Sequence, residues 1–174
     1  MTRHNAGFWF VDQLVEKLDW TLRVDTKFKG ELGEGVIAHK KVRVLKPLTY
    51  MNLSGQSVAA LVNFYKIPVE QVLVVYDDLD FDAGVGRLKC GGSAGRHNGV
   101  QSVIDCLGAK GFWRLRVGIG HPGDRSKVLN YVLGKPAAVD REAISEVMIK
   151  SLECLEGIIA GDFQKVMNHL HIRV

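Results

Sequence analysis

The sequence predicts an α/β fold, a three-layer sandwich in which helices flank a central mixed, mostly parallel and twisted sheet. The first observation is that segments with a helical spacing of apolar residues alternate with short segments typical of strands. The second is the unbroken apolar run at residues 72–76, which is too short for a helix and is followed by Asp77 and Asp78. Such a run is typical of a strand buried on both faces.

Length and composition predict one domain over residues 1–174. The chain is 47% hydrophobic and 24% charged, and it contains no linker, low-complexity tract or solenoid repeat. Its three cysteines form no CxxC pair, so a disulfide framework and a structural zinc site are both disfavoured, and we expect a reducing cytoplasm. No apolar run approaches the roughly 20 residues of a membrane span. A net charge of +4 is compatible with a nucleic-acid partner but also with many ordinary enzymes.

The first half of the chain predicts two helices and a hairpin. Apolar residues with helical spacing predict a first helix that starts soon after His4 and Asn5. Val42 and Val44 alternate with cations, which predicts a strand exposed on one side and paired with residues 36–39 through a tight turn. Ser54 is predicted to cap a second helix. The apolar stripe of that helix consists of Val58, Leu61, Val62 and Tyr65.

The second half predicts further strands and a helical tail. A strand near residues 85–90 leads into a glycine-rich loop, and a strand over 113–119 is expected to carry Arg114 and Arg116 on a solvated face. The tail is predicted to be helical over residues 140–159, with a last short turn near 171. Between the two strands lies a third helix with the apolar residues Val100, Val103, Ile104 and Leu107.

The dipeptide His-Asn occurs twice, as His4-Asn5 and His97-Asn98, each time at the start of a predicted helix. The free N–H groups and the positive dipole end of a helix favour the neutral imidazole, which is the form that a general base requires. The alternative, favoured by the spacing alone, is that the two asparagines only cap their helices and the histidines fill loops.

Four aspartates follow the apolar run, at positions 77, 78, 80 and 82. One interpretation is a carboxylate that orients a histidine and raises its basicity. A second is a magnesium site, because clustered carboxylates at a strand end hold this ion in many phosphoryl-transfer enzymes. A third is a solvated acidic turn, and the residues alone leave all three open.

A glycine-rich loop at residues 91–95 lies between the cations Arg87, Lys89 and Arg96. Glycines allow close approach of a ligand, and the helix start that follows suits a phosphate, although charges on an exposed strand are usually only solvated. Other motifs fail: residues 118–123 match GxGxxG, but Pro122 stands where the phosphate-binding helix would start. No P-loop or HExxH pattern occurs, and Ser54 does not lie in a GxSxG elbow, so a serine hydrolase is disfavoured.

Five segments resemble, in the same order, the signature blocks of bacterial peptidyl-tRNA hydrolases. They are residues 2–7, 47–55, 76–80, 91–99 and 114–122, and the likeness covers essentially the whole chain. The resemblance implies hydrolysis of the ester between a peptide and tRNA, which recycles tRNA from stalled translation. It also implies a cytoplasmic monomer that needs no metal and no cofactor.

The resemblance further implies the roles of individual residues. His4 matches the general base and Asp77 its orienting carboxylate, while Asn52 and Asn98 match amides that hold the water, the substrate and the developing oxyanion. The other matches all concern binding of substrate or tRNA. They are Tyr50 and Met51 as a wall for the 3′ end, His97, and Lys89 with Arg116 as a grip on a 5′ phosphate.

Two departures from the family pattern are visible. Members begin with a strand and a GLGNPG-like loop before the TRHN segment, whereas this sequence begins at Met1, so we expect a truncated or misassigned start with a weakened sheet and low activity. Arg96 stands where glycine is usual and would either crowd the site or add a phosphate contact. The alternative functions are a non-catalytic RNA-binding relative and a metal-dependent phosphohydrolase built on Asp77, Asp78 and Asp80.

Overall fold

A computed structural model of the chain describes residues 5–171, in which seven α-helices and six strands occur. The helices are α1 (Ala6–Leu18), α2 (Ser54–Tyr65), α3 (Asn98–Leu107), α4 (Val128–Leu133), α5 (Ala138–Glu153), α6 (Leu155–Ala160) and α7 (Phe163–Leu170). The strands are β1 (Arg23–Asp25), β2 (Gly30–Ile37), β3 (Lys40–Pro47), β4 (Leu73–Asp78), β5 (Gly86–Cys90) and β6 (Trp113–Gly118). Within this part of the chain, no helix is long and apolar enough to cross a membrane.

The chain divides into two compact units. The hairpin unit consists of Val11–Val74 and Cys90–Trp113. The tail unit consists of Val75–Lys89, the chain from Arg114 onward and the start of α1 up to Phe10. The prediction of one domain over residues 1–174 stays a prediction.

An antiparallel sheet in the order β1-β2-β3 forms part of the hairpin unit. The β2–β3 register runs to Ile37 opposite Lys40, so the predicted hairpin is confirmed. Its turn residues Ala38 and His39 have φ values of 52° and 63°, the left-handed conformation that a two-residue hairpin turn requires at both positions. Glycine is needed at position 35 because a Cβ there would overlap the ring of Trp20.

Helices α2 and α3 pack closely in the same unit. A Cβ at Gly55 would overlap the backbone of Ser102, and the Gly55 amide donates to Ser102 Oγ at 2.9 Å. The capping role predicted for Ser54 is wrong. Its hydroxyl donates to the carbonyl of Met51 at 2.8 Å, and Leu53 holds the N-cap position without a side-chain bond. Ser54 therefore closes the turn before α2 and does not cap the helix.

A mixed sheet in the order β4-β6-β5 lies mainly in the tail unit. The amides of Trp113 and Ile119 donate to the carbonyls of Val72 and Asp78, so β6 runs parallel to β4. The bonds from Gly118 to Val85 and from Gly91 to Phe112 show that β5 is antiparallel to β6. These strands and the surrounding helices confirm the predicted α/β class.

The solvated face predicted for β6 is wrong. Arg114 is only 1% exposed and bonds with the Tyr76 hydroxyl, while Leu115 and Val117 are fully buried. The central strand of this sheet is thus covered on both sides, and its alternation of cations and apolar residues does not reflect exposure. In β4, Tyr76 and Asp77 are buried, whereas residues 73–75 are only half-buried.

The helical tail differs from its prediction. One helix was expected over residues 140–159, but α5 ends at Glu153 and α6 begins at Leu155. The Cys154 amide between them bonds to both Lys150 and Ser151, as in the tightened last turn of a helix. Gly161, with a φ of 87°, ends α6, and the expected last short turn is the full helix α7. Neither β1 nor α4 was predicted.

Candidate active site

The first candidate residue, His4, lies outside the described residues. Helix α1 begins soon after it, at Ala6, as predicted. A Cβ at Gly7 would overlap the carbonyl of Val75, so the first turn of α1 lies directly against β4. This close approach brings the start of α1 to the strand that carries Asp77.

Asp77 lies near the end of β4 and is 4% exposed. A carboxylate so deeply buried needs polar partners, because an unpaired buried charge is costly. Its neighbour Tyr76 is also buried. Burial raises the pKa of the Tyr76 hydroxyl and Asp78 adds to this shift, while Arg116 and Arg114 oppose it. The end of β4 is therefore a buried polar cluster, which excludes the solvated acidic turn for Asp77.

Asp78 lies beside this cluster and is held on both carboxylate oxygens. Its Oδ2 accepts from Arg116 Nε at 2.7 Å, and its Oδ1 accepts from the Asp80 amide at 2.9 Å. The Arg116 guanidinium lies over the Phe81 ring at 4.6 Å, and that of Arg87 lies over the same ring at 5.6 Å. The predicted phosphate-binding residue Arg116 is thus fixed by a carboxylate and an aromatic ring.

Sequence reasoning missed the roles of Phe81 and Arg87 in this arrangement. No sequence motif marks either residue, and Arg87 is related to Arg116 by the antiparallel register of β5 and β6. Because Gly118 bonds to Val85 and Gly91 to Phe112, Arg87 stands opposite Arg116. Lys89 follows Arg87 by two residues on β5 and is exposed.

The start of α3 carries His97 and Asn98 in the hairpin unit. His97 is the N-cap, and its Nδ1 accepts from the Val100 amide at 3.2 Å. Asn98 is the first residue of the helix and is exposed, as is Arg96. The cap proposed for Asn98 in the alternative interpretation is therefore provided by its neighbour His97.

The turn before α2 carries Tyr50, Met51 and Asn52. Tyr50 is 82% exposed and Asn52 is exposed as well, whereas Met51 is half-buried. A Cβ at Gly99 would lie 2.7 Å from Met51 Sδ and 2.9 Å from His97 Cε1. The hairpin unit therefore brings Met51 and His97 together around Gly99, and it leaves an aromatic ring and two amides exposed.

The predicted magnesium interpretation gains no support from the described residues. Among residues 5–171, no three side chains of His, Cys, Asp or Glu are grouped as metal ligands. Asp78 uses its two carboxylate oxygens for Arg116 and the Asp80 amide. The Asp78 carboxylate thus serves the local structure.

Comparison with known proteins gives one consistent result. A sequence profile described as "Peptidyl-tRNA hydrolase" matches residues 1–174. The peptidyl-tRNA hydrolase of Methylococcus capsulatus is 47% identical over 171 residues, which cover 98% of this chain and 91% of the relative. That of Histophilus somni is 44% identical, with coverages of 98% and 88%.

Solved structures agree with the sequence matches. A crystal structure of peptidyl-tRNA hydrolase from Acinetobacter baumannii is 43% identical and has a TM-score of 0.95. It covers 98% of this chain and 86% of the solved chain. The prediction that a first strand and loop are lacking is not borne out by these matches. With the profile matching every residue, the chain belongs to the peptidyl-tRNA hydrolase family.

Proposed function

We propose that this chain hydrolyses the ester that joins a peptide to the terminal ribose of tRNA. The observation that carries the proposal is the family match over residues 1–174, with 44–47% identity to the named relatives over 98% of the chain. The described geometry supports it through a buried carboxylate at the end of β4 and exposed amides in the hairpin unit.

In the proposed reaction, His4 acts as the general base and takes a proton from the attacking water. Asp77 accepts the other ring proton of His4, which fixes the tautomer and raises the basicity of the imidazole. The burial of Asp77 supports this role, because a carboxylate shielded from water interacts strongly with a neighbouring imidazolium. The close packing of Gly7 on Val75 supports it too, since it ties the start of α1 to β4.

Asn52 and Asn98 would orient the water and stabilise the oxyanion. A neutral amide suits this task because it donates hydrogen bonds without changing its charge during the reaction. Both residues are exposed, and Asn98 is the first residue of α3, where the helix dipole favours a developing negative charge. His97 would contribute indirectly, by capping α3 and so fixing the position of Asn98.

The substrate would be recognised through the backbone and the ends of its tRNA, independently of the base sequence. Tyr50 is exposed enough to stack against a base of the single-stranded 3′ end, with Met51 as the adjoining apolar wall. Lys89 and Arg116 would bind a phosphate at the 5′ end. We further propose that the enzyme acts in the cytoplasm as a monomer and requires no cofactor.

The test is hydrolysis of an N-blocked aminoacyl-tRNA by the purified chain, followed as release of deacylated tRNA. We expect turnover that survives EDTA and is lost in His4→Ala, while binding of tRNA persists. Turnover that EDTA abolishes would contradict a metal-independent ester hydrolysis, whereas an intact ester together with EDTA-sensitive release of phosphate would favour the metal-dependent phosphohydrolase. A chain that binds tRNA but leaves the ester intact would be a non-catalytic RNA-binding relative.

A further inference from the structure

We propose that Asp78 and Phe81 are positioning residues, which hold the guanidinium of Arg116 in the orientation that binds a phosphate of the RNA. This inference rests on the phosphate-binding role proposed above for Arg116. It extends that role to two residues which would not touch the phosphate themselves.

The contacts around Arg116 carry the inference. Its Nε donates to Asp78 Oδ2 at 2.7 Å, in a pair whose side chains are 22% exposed for Arg116 and 10% for Asp78. The Phe81 ring covers the guanidinium at 4.6 Å from the ring centroid. One edge and one face of the guanidinium are thus occupied, which fixes the plane of a group that would otherwise rotate freely.

Asp78 is itself fixed by the backbone. The amide of Asp80 donates to its Oδ1 at 2.9 Å, so the turn after β4 sets the direction of the carboxylate. The orientation of Arg116 is therefore determined by the backbone through Asp78. A side chain that is already ordered loses less conformational entropy when it binds a ligand.

The ion pair with Asp78 uses the Nε donor of Arg116 and does not involve the donors on its two Nη atoms. A guanidinium has four further N–H donors on these two atoms, and its planar fork matches two oxygens of a phosphate. The Arg87 guanidinium lies 5.6 Å from the centroid of the same Phe81 ring. Arg87 and Arg116 each carry a positive charge, and the Asp78 carboxylate neutralises only one of them. The cluster around the Phe81 ring therefore keeps a net positive charge that attracts an anion.

The experiment compares two substrates that differ only in the 5′ phosphate of an N-blocked aminoacyl-tRNA. For each protein, kcat and KM are measured with the phosphorylated and the 5′-hydroxyl substrate, and the ratio of the two kcat/KM values is the readout. We expect the wild-type protein to prefer the phosphorylated substrate through KM. The variant Arg116→Ala should lose this preference.

Asp78→Asn is the central variant. Its amide has only one oxygen, which can accept from the Asp80 amide or from Arg116 Nε but not from both, and its NH2 group would face the other donor. We expect the preference for the 5′ phosphate to fall about tenfold, with kcat on the 5′-hydroxyl substrate unchanged. Phe81→Leu keeps an apolar side chain but removes the ring face, and it should lower the preference about threefold.

Asp82→Asn is the matched control, because Asp82 is an exposed aspartate of the same turn. It removes the same charge and should keep the wild-type preference. Circular dichroism and the Tm establish that each variant is folded, and Phe81→Leu tests the idea without the loss of a partly buried charge.

The possible outcomes separate the two proposals. If the wild-type protein prefers the phosphorylated substrate and both Asp78→Asn and Phe81→Leu keep that preference, the positioning role is overturned while the role of Arg116 stands. If the wild-type protein hydrolyses both substrates equally, the phosphate-binding role of Arg116 is wrong and the positioning role falls with it. A reduced preference in Asp82→Asn as well would assign the effect to charge alone, which also overturns positioning.

Discussion

The two units of the chain present candidate functional residues in opposite ways. In the tail unit Asp77 is buried, and Asp78 and Arg116 hold each other in a partly buried ion pair. In the hairpin unit Tyr50 and Asn98 are neutral and exposed. A buried charge needs fixed partners, whereas a neutral amide or an aromatic ring can be exposed to water at little cost in free energy. The two units therefore differ in how these residues are presented, with fixed charges in one and accessible neutral groups in the other.

The largest expected effect comes from Asp77→Asn, which replaces the buried carboxylate by an isosteric amide. Without the charge, the imidazolium that forms during proton transfer loses its stabilisation, so kcat should fall by about 10²–10⁴-fold. Hydrolysis of N-blocked aminoacyl-tRNA measures this, with Asp82→Asn as the control that keeps turnover. A variant with full turnover would mean that the buried carboxylate has only a structural role.

A smaller effect, on stability, is expected at the close contact between α2 and α3 in the hairpin unit. Gly55→Ala places a methyl group on the backbone of Ser102, so α2 and α3 must move apart, at a cost of about 2–3 kcal/mol in the free energy of unfolding. Urea denaturation measures the loss. Gly111→Ala is the control, because its new Cβ would meet Val69 at an ordinary 3.7 Å. Equal losses in both variants would show that the α2–α3 approach is not as tight as described.

The exposed ring of the hairpin unit should affect substrate binding and not stability. Tyr50→Ala removes a surface for stacking, so KM should rise about tenfold while the Tm stays constant. Tyr50→Phe keeps the ring and should behave as the wild-type protein. If Tyr50→Phe instead matches Tyr50→Ala, the hydroxyl and not the ring face contacts the substrate.

The imidazole that caps α3 should contribute about 1 kcal/mol to stability. His97→Ala removes the acceptor for the Val100 amide, while His97→Asn supplies another side chain suited to an N-cap. Thermal unfolding should therefore rank the wild-type protein and His97→Asn together, above His97→Ala. An unchanged Tm in His97→Ala would show that the helix start needs no side-chain cap.

What the sequence could predict follows the same division. The helices with clear spacing and the β2–β3 hairpin were predicted, because their signals are local: apolar periodicity and a two-residue turn. The burial of Arg114 was missed because alternation along β6 cannot tell a solvated face from one covered by other elements. The pairing of Asp78 with Arg116 was missed because it joins positions 38 residues apart, which only the sheet order brings together.

The candidate site residues also divide into those that a local sequence signal selects and those that only the structure reveals. Asp77 could be selected for its place after an apolar strand, but motif resemblance was needed to prefer it to Asp78 and Asp80. The cap by His97 was assigned to its neighbour Asn98, because asparagine is a far commoner N-cap than histidine. Phe81 carried no motif, and its role follows only from the two guanidinium groups above its ring.

The imidazole of His171, in the tail unit, gives the smallest expected effect, which is a change of stability with pH. His171 Nε2 accepts from the Leu88 amide at 3.0 Å and so ties the end of α7 to β5. Burial lowers the pKa of His171, and the charges of Arg87 and Lys150 lower it further. The folded protein therefore resists protonation of His171 at a pH where the unfolded chain, with a histidine pKa of about 6.5, already binds the proton.

Neutral His171 should consequently contribute to the free energy of unfolding above a pH of about 6.5. This contribution should be lost as the pH falls toward the lowered pKa of His171. Urea denaturation at several pH values measures the slope. His171→Gln can still accept from the Leu88 amide but does not titrate, so its stability should vary less with pH than that of the wild-type protein. His169→Gln, which changes an exposed histidine of the same helix, should keep the wild-type slope. A wild-type slope in His171→Gln would assign the acid sensitivity to other groups and leave His171 as a structural contact only.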